Sequence, residues 1–218
     1  MEELEWLIGL LSPACALRSL IADCRLPSPP ARLLCTCTPN KRGKPNCRGR
    51  GEYCCCLEPT AAGVTSSFLF HQQNQYKSQG NKLIPDSPDA QALMYQRMFE
   101  AFTLVEKMMN AMYYNFKVPE GERHDSAIHR NKEAMTAELK LWEGYLKKTN
   151  CCLAGQEFTL ADVLVYPFIA YMFHYGLSSE RYPALAKYYN SLKDRPSIKA
   201  TWPPYWQKYA DQDALKTI

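Results

Sequence analysis

The stretch that decides the fold is LAGQEFTLADVLVYPFIAY, Leu153 to Tyr171. It opens on a turn around Gly155, and at its centre Thr159 and Asp162 stand three apart at the head of an apolar run. That spacing is a capping box. The Thr159 hydroxyl can accept from the N–H of residue 162 while the Asp162 carboxylate reaches back to the N–H of residue 159, so two orphan donors are satisfied together. Phe158 and Val163 occupy the two positions of a hydrophobic staple, which sets the angle at which the chain enters the helix. The helix that follows is apolar nearly all the way round, with Val163, Leu164, Val165, Phe168, Ile169, Tyr171 and Met172. Such a helix belongs in the middle of a bundle. Pro167 should kink it, because it removes one backbone donor and crowds the carbonyl of Val163, a defect of roughly 3 kcal/mol in an isolated helix.

Before this stretch, the spacing predicts two long helices. The first has Ser87 as N-cap, Pro88 at the first helical position and Asp89 in the first turn. It continues to about Phe116 with one apolar seam of Met98, Phe102, Val105, Met109, Met112 and Phe116. At 1.5 Å per residue it would be on the order of 45 Å long. The stripe of Met108, Met109, Met112 and Tyr113 suits either a plain core face or a pocket wall for flexible apolar ligands, since methionine adapts its shape. Val118-Pro119-Glu120-Gly121 breaks the chain, and a second helix is expected from about Asp125 to Lys148, with Ile128, Met135, Leu139, Trp142 and Leu146 on one face. Two long helices joined by a short break pack antiparallel. His124 and His129 have no partner ligands in the sequence around them and read as surface residues.

After the central helix, Tyr175-Gly176 ends the run, and Pro183 starts a helix carrying Leu185, Tyr188, Tyr189 and Leu192. Asp194-Arg195-Pro196 stops it, because the residue before a proline avoids helical geometry. SIKATWPPYW then reads as a short turn and an aromatic wrap. From Ser87 onward the expectation is an all-α bundle of about five helices.

The composition, 46% apolar and 22% charged over 218 residues, is that of an ordinary soluble chain. No run approaches the roughly 18 to 20 apolar residues that span a bilayer. Glu2, Glu3 and Glu5 give the start of the chain the wrong charge for a secretory signal, so a cytoplasmic protein without membrane attachment is expected. The formal net charge of +4 is too mild to argue a nucleic-acid partner.

Residues 1 to 73 show no defensible periodicity and read as an irregular Cys/Pro/Arg-rich segment that buries little apolar surface. Val64 to Phe70 is its one plausible strand or helix fragment. Eight of the ten cysteines lie at or before Cys56. Cys35, Cys37, Cys47 and Cys54 to Cys56 could offer thiolates to zinc, but their spacing is not that of paired C-x-x-C ligands and no His is near, so no metal is expected. Lys41 to Arg50 holds five basic residues, with Tyr53 the only nearby aromatic, which suits a solvated loop better than a phosphate track. Ser12 and Cys15 are candidate nucleophiles with no His, Lys or carboxylate placed by the sequence to activate them.

NKLIPDSPDAQALMYQRMFE, VPEGER, AELKLWEGYL, LAGQEFTLADV and LKDRPSIKATWPPYW, in that order, resemble the helical C-terminal domain of cytosolic glutathione transferases, most closely the rho class, over about Asn74 to Ile218. The resemblance implies residues 74–86 as a linker and 87–218 as that helical domain. It implies glutathione as co-substrate, conjugation to small apolar electrophiles in detoxification, and a homodimer built partly on the long helix. It also raises Met108, Met112 and Tyr113 as lining of the electrophile site. Ser12-Pro13-Ala14-Cys15 is similar to the Ser-Pro-x-Cys near the rho-class active site, but the strands of a thioredoxin-like glutathione-binding domain are not recognisable in 1–73. That segment is therefore expected to derive from an alternative exon, a misread frame or a lost domain, and activity is expected to be impaired. The alternative is a non-catalytic helical module for dimerisation or ligand binding.

Overall fold

The computed structural model describes residues 81–201 and 214–218, with the backbone of 38–39 and 45–46. The chain divides into two units, Met1–Lys82 and Leu83–Ile218. Ser12, Cys15, the cysteines through Cys56 and Val64 to Phe70 lie outside the described residues, as does the basic run apart from the backbone at Pro45 and Asn46. In the first unit, β1 (Thr38–Pro39) pairs antiparallel with β2 (Pro45–Asn46), Thr38 opposite Asn46 and Pro39 opposite Pro45. Two facing prolines have no N–H to donate, which leaves little to carry the ladder further.

The second unit is helical, with α1 (Pro88–Met112), α2 (Tyr114–Lys117), α3 (Asp125–Thr149), α4 (Leu160–His174), α5 (Pro183–Leu192) and α6 (Pro196–Thr201). Where one helix to Phe116 was expected, the chain breaks at Tyr113, whose ψ of 11° leaves the helical region, and α2 is a single separate turn. Where Pro196 was expected only to stop a helix, it also starts α6, since a proline at the first helical position loses no intrahelical bond.

α1 and α3 pack antiparallel. Asn131 near the start of α3 donates to the carbonyl of Asn110 near the end of α1 at 3.0 Å, while Tyr145 near the end of α3 reaches Glu100 near the middle of α1 at 3.2 Å. α4 fills the space beside α1, and α5 covers both α3 and α4. All but Pro167 among the first thirteen residues of α4 are buried, so its all-round apolar sequence becomes the core. The helix passes through Pro167 without ending.

The buried face of α3 is Met135, Leu139, Trp142 and Leu146, as the spacing predicts, with Ile128 only half-buried. The buried face of α1 is rotated from the expected seam. Met94, Met98, Ala101, Leu104, Val105 and Met108 are buried, whereas Phe102, Met109 and Met112 are half-buried and Phe116 is exposed. Both stripes are rich in apolar residues, although Arg97 also lies on the buried one, and the positions of α3 and α4 select between them.

Leu83, expected in the linker, is buried, and its carbonyl accepts the N–H of Leu160 at 3.0 Å. The chain entering α1 is thus pinned to the head of α4. The chain leaves α4 through Gly176, where a φ of 87° favours glycine, and the N–H of Leu177 returns to the carbonyl of Met172 at 3.0 Å.

Candidate functional site

The Asp162 carboxylate accepts four hydrogen bonds inside the bundle. It is fully buried, and its Oδ2 accepts the Thr159 N–H at 2.8 Å and the Thr159 hydroxyl at 3.0 Å. Its Oδ1 accepts the Leu153 N–H at 2.9 Å and the Tyr188 hydroxyl at 3.0 Å. The capping box is present, with both arms in place. The carboxylate does more than cap, because it also ties the α3–α4 loop through Leu153 and α5 through Tyr188. Burial pushes the Asp162 carboxyl up from the usual carboxylate range, and the four donors pull it back only in part. Burial first, and then the charge of Asp162, hold the Tyr188 phenol well above its ordinary value, so it remains a donor. Phe158, at the staple position, lies under the Arg195 guanidinium, 4.0 Å from ring centre to Cζ.

A second cluster is aromatic and joins the end of α1 to the end of α4. Tyr113 is buried and shares a hydroxyl–hydroxyl hydrogen bond with Tyr171. The Tyr171 ring lies 4.4 Å from that of Tyr175, and the Tyr113 ring lies 5.9 Å from that of Phe116. Desolvation, followed by the hydrogen bond to Tyr113, raises the Tyr171 phenol far above its normal range. The Tyr113 and Tyr171 hydroxyls are thus buried and bonded to each other, and the cluster ties the end of α1 to the end of α4. Met108 is buried in the core on the same helix, and Met112 is half-buried one turn on. The pairing of Tyr113 with Tyr171 joins residues 58 apart, a contact that no local pattern announces.

Three further features make contacts that spacing along the sequence does not reveal. Glu143 is buried, and its two carboxylate oxygens accept the N–H groups of Ala184 and Leu185 at 2.9 Å each, so a side chain of α3 caps α5. Lys147, one turn further along α3, lies 3.4 Å from Glu143 but is exposed and adds little. Arg97 is buried with its guanidinium 3.4 Å over the Tyr145 ring and 2.7 Å from Glu100. An open groove of about 530 Å³ lies against α3, lined by Lys140, Glu143, Lys147, Arg181, Tyr182 and Ile218 among others.

His124 and His129 are both exposed, and His129 lies 3.4 Å from Glu133. Among the described residues no three His, Cys, Asp or Glu side chains stand together as a metal site would require, and no helix is long and apolar enough to cross a membrane.

Comparison with known proteins puts a family to this architecture. Residues 93–196 match the family described as Glutathione S-transferase, C-terminal domain. The chain is 61% identical to Glutathione S-transferase A of Pleuronectes platessa over 148 residues, which is 67% of this chain and 66% of that protein. It thus spans just under two thirds of that relative. Among solved structures, a glutathione S-transferase from the Antarctic clam Laternula elliptica superposes with a TM-score of 0.62 at 30% identity, covering 70% of this chain and 68% of the clam chain. The glutathione transferase URE2P6 of Phanerochaete chrysosporium, solved in complex with oxidized glutathione, shares the fold at a TM-score of 0.55 and 23% identity, covering 66% of each chain. On the identity to the fish and clam proteins and on the helical order α1 to α6, this chain belongs to the glutathione S-transferase family.

Proposed function

We propose that the protein is a rho-class glutathione transferase, of the kind that conjugates glutathione to small apolar electrophiles as a cytoplasmic homodimer, and that conjugation is impaired in this chain because no glutathione-binding domain is recognisable in residues 1–73. The observation that carries this reading is the 61% identity to a curated glutathione S-transferase over 148 residues. Residues 1–73 take the place of the glutathione-binding domain, 74–86 form the linker, and 87–218 are the helical domain. Glutathione supplies the nucleophile. A thiol of ordinary pKa near 8.5 is mostly protonated at neutral pH, so a hydroxyl that hydrogen-bonds the thiolate raises the fraction able to attack. Ser12 and Cys15 are the candidates for that role. Met108, Met112 and Tyr113 are assigned to the electrophile side, where the half-buried position of Met112 supports contact with an apolar molecule.

Calorimetric titration of the reduced chain with glutathione tests the reading. Saturable one-to-one binding, with weak conjugation of an aryl halide that is lost in Ser12→Ala or Cys15→Ala, would uphold the enzyme reading. Absence of heat at millimolar glutathione would favour the second reading, a non-catalytic helical module. That reading is supported by the family match falling wholly within the helical half.

A further inference from the structure

The loop between α3 and α4 carries two adjacent thiols that the chemistry above does not use. Asn150 closes α3 in the left-handed region, with φ at 63° and its N–H on the carbonyl of Leu146 at 2.8 Å. Cys152 and Gly155 then bridge, the Cys152 N–H to the Gly155 carbonyl at 3.1 Å and the reverse bond at 3.4 Å. This frame turns Cys151 to the surface and Cys152 inward, yet leaves their Sγ atoms 3.5 Å apart.

That separation is informative. A disulfide needs its sulfurs at about 2.05 Å, so the pair as held is open. Two sulfurs sharing a tetrahedral metal at ~2.3 Å stand about 3.8 Å apart, and the narrower angle at a pyramidal trivalent centre draws them closer. Cys151 and Cys152 therefore sit at the bite of one soft atom bonded to both. Zinc would still lack two ligands, because no group of three His, Cys, Asp or Glu side chains stands together among the described residues. A trivalent arsenic that already carries one carbon substituent needs two thiols and no more.

We propose that Cys151 and Cys152 form a capture site for monosubstituted trivalent arsenicals, separate from the glutathione chemistry. The reaction consumes an arsenoxide R–As=O and two thiols and yields R–As(S–Cys)2 and one water. Two As–S bonds replace the arsenic–oxygen bond, both thiol protons leave on that oxygen, and no oxidation state changes. Cys151, being exposed, bonds first. Cys152 is kept as the thiol chiefly by burial, then by the charge of Asp162 and its contact with Cys151, and delivers its proton as the arsenic is passed across the 3.5 Å gap.

The test uses the full reduced chain and phenylarsine oxide. After brief treatment and a chase with millimolar glutathione, which strips single-thiol adducts, tryptic peptides are weighed. The peptide 149–181 contains Cys151 and Cys152 and no other cysteine. The expected result is that this peptide carries one phenylarsino group in place of two hydrogens, and that Cys151→Ser lowers its occupancy at least tenfold. Because Cys151 is exposed, that substitution leaves the fold intact. A peptide free of arsenic after the chase, or equal retention in Cys151→Ser, would overturn the proposal. So would a peptide that resists the arsenical and instead emerges two hydrogens lighter, which would assign the pair to disulfide formation.

Discussion

At the scale of single residues, Asp162 decides most. Removing its carboxylate strands two backbone donors, Leu153 and Thr159, and two hydroxyls inside the bundle. Each buried donor left unsatisfied costs about 1–3 kcal/mol, so Asp162→Ala should lower the unfolding free energy by about 3–5 kcal/mol in urea titrations with an unchanged slope. Asp162→Asn keeps one acceptor oxygen and avoids burying a charge, and should cost about 1–3 kcal/mol. Tyr188→Phe removes a single bond to the same carboxylate and should cost about 1–2 kcal/mol. The sign of the pH effect follows from burial raising the folded-state pKa of Asp162 above its unfolded value. The folded chain then holds this proton more tightly than the unfolded one. Its contribution is complete below the unfolded value of about 3.9 and is lost as pH rises through the raised folded value. The stability difference between wild type and Asp162→Asn should therefore shrink as pH climbs from about 4, and a difference that grew would mean the four donors outweigh burial.

At the scale of elements, what the sequence shows is what is local. The capping box was legible because Thr159 and Asp162 are three residues apart and the physics of a helix start is confined to one turn. Thr159→Ala should cost about 1 kcal/mol, up to about 2 in this buried setting, and a melting temperature unmoved by it would deny the box any organising role. The other two partners of Asp162, Leu153 and Tyr188, lie 9 and 26 residues away and carry no local signature. The start of α5 makes the same point. Its own N-cap, Tyr182, makes no side-chain cap, and the N–H groups of Ala184 and Leu185 are met by Glu143, more than 40 residues earlier. Read along α3, Glu143 looks like half of a surface ion pair with Lys147. Glu143→Ala should cost about 1–3 kcal/mol because it strands two N–H groups, whereas Lys147→Ala, at an exposed pair, should stay within about 0.5 kcal/mol. The buried face of α1 was missed for a related reason. Phe102, Met109 and Met112 are as apolar as Met94, Ala101 and Met108, and only the neighbouring helices distinguish them. At the candidate site, Met108, Met112 and Tyr113 could be named from the α1 stripe, but the Tyr113–Tyr171 bond could not, since it exists only once α1 and α4 are packed.

At the scale of the whole molecule, the rotation of α1 leaves a large aromatic outside. Phe99 is 66% exposed, with the Phe102 ring beside it at 6.5 Å. A single exposed apolar residue is ordinary, but this one stands near the middle of the 25-residue α1, on a surface that the homodimer reading assigns to the partner. In a two-fold interface each substitution acts twice, because the same patch serves both protomers. Burying a phenylalanine is worth about 1.5–3 kcal/mol, so its loss from both protomers should weaken association by about 3–6 kcal/mol, a factor on the order of 10² to 10⁴ in dissociation constant. Phe99→Glu adds like charges facing one another and should fall at the upper end. Sedimentation velocity across a concentration series measures this directly. The wild-type chain should sediment as a dimer at micromolar concentration and the variant as a monomer with unchanged helical circular dichroism. A dimer equally stable in both would place the interface elsewhere on the chain. A wild-type chain that stayed monomeric would refute the homodimer and leave Phe99 as an isolated surface residue.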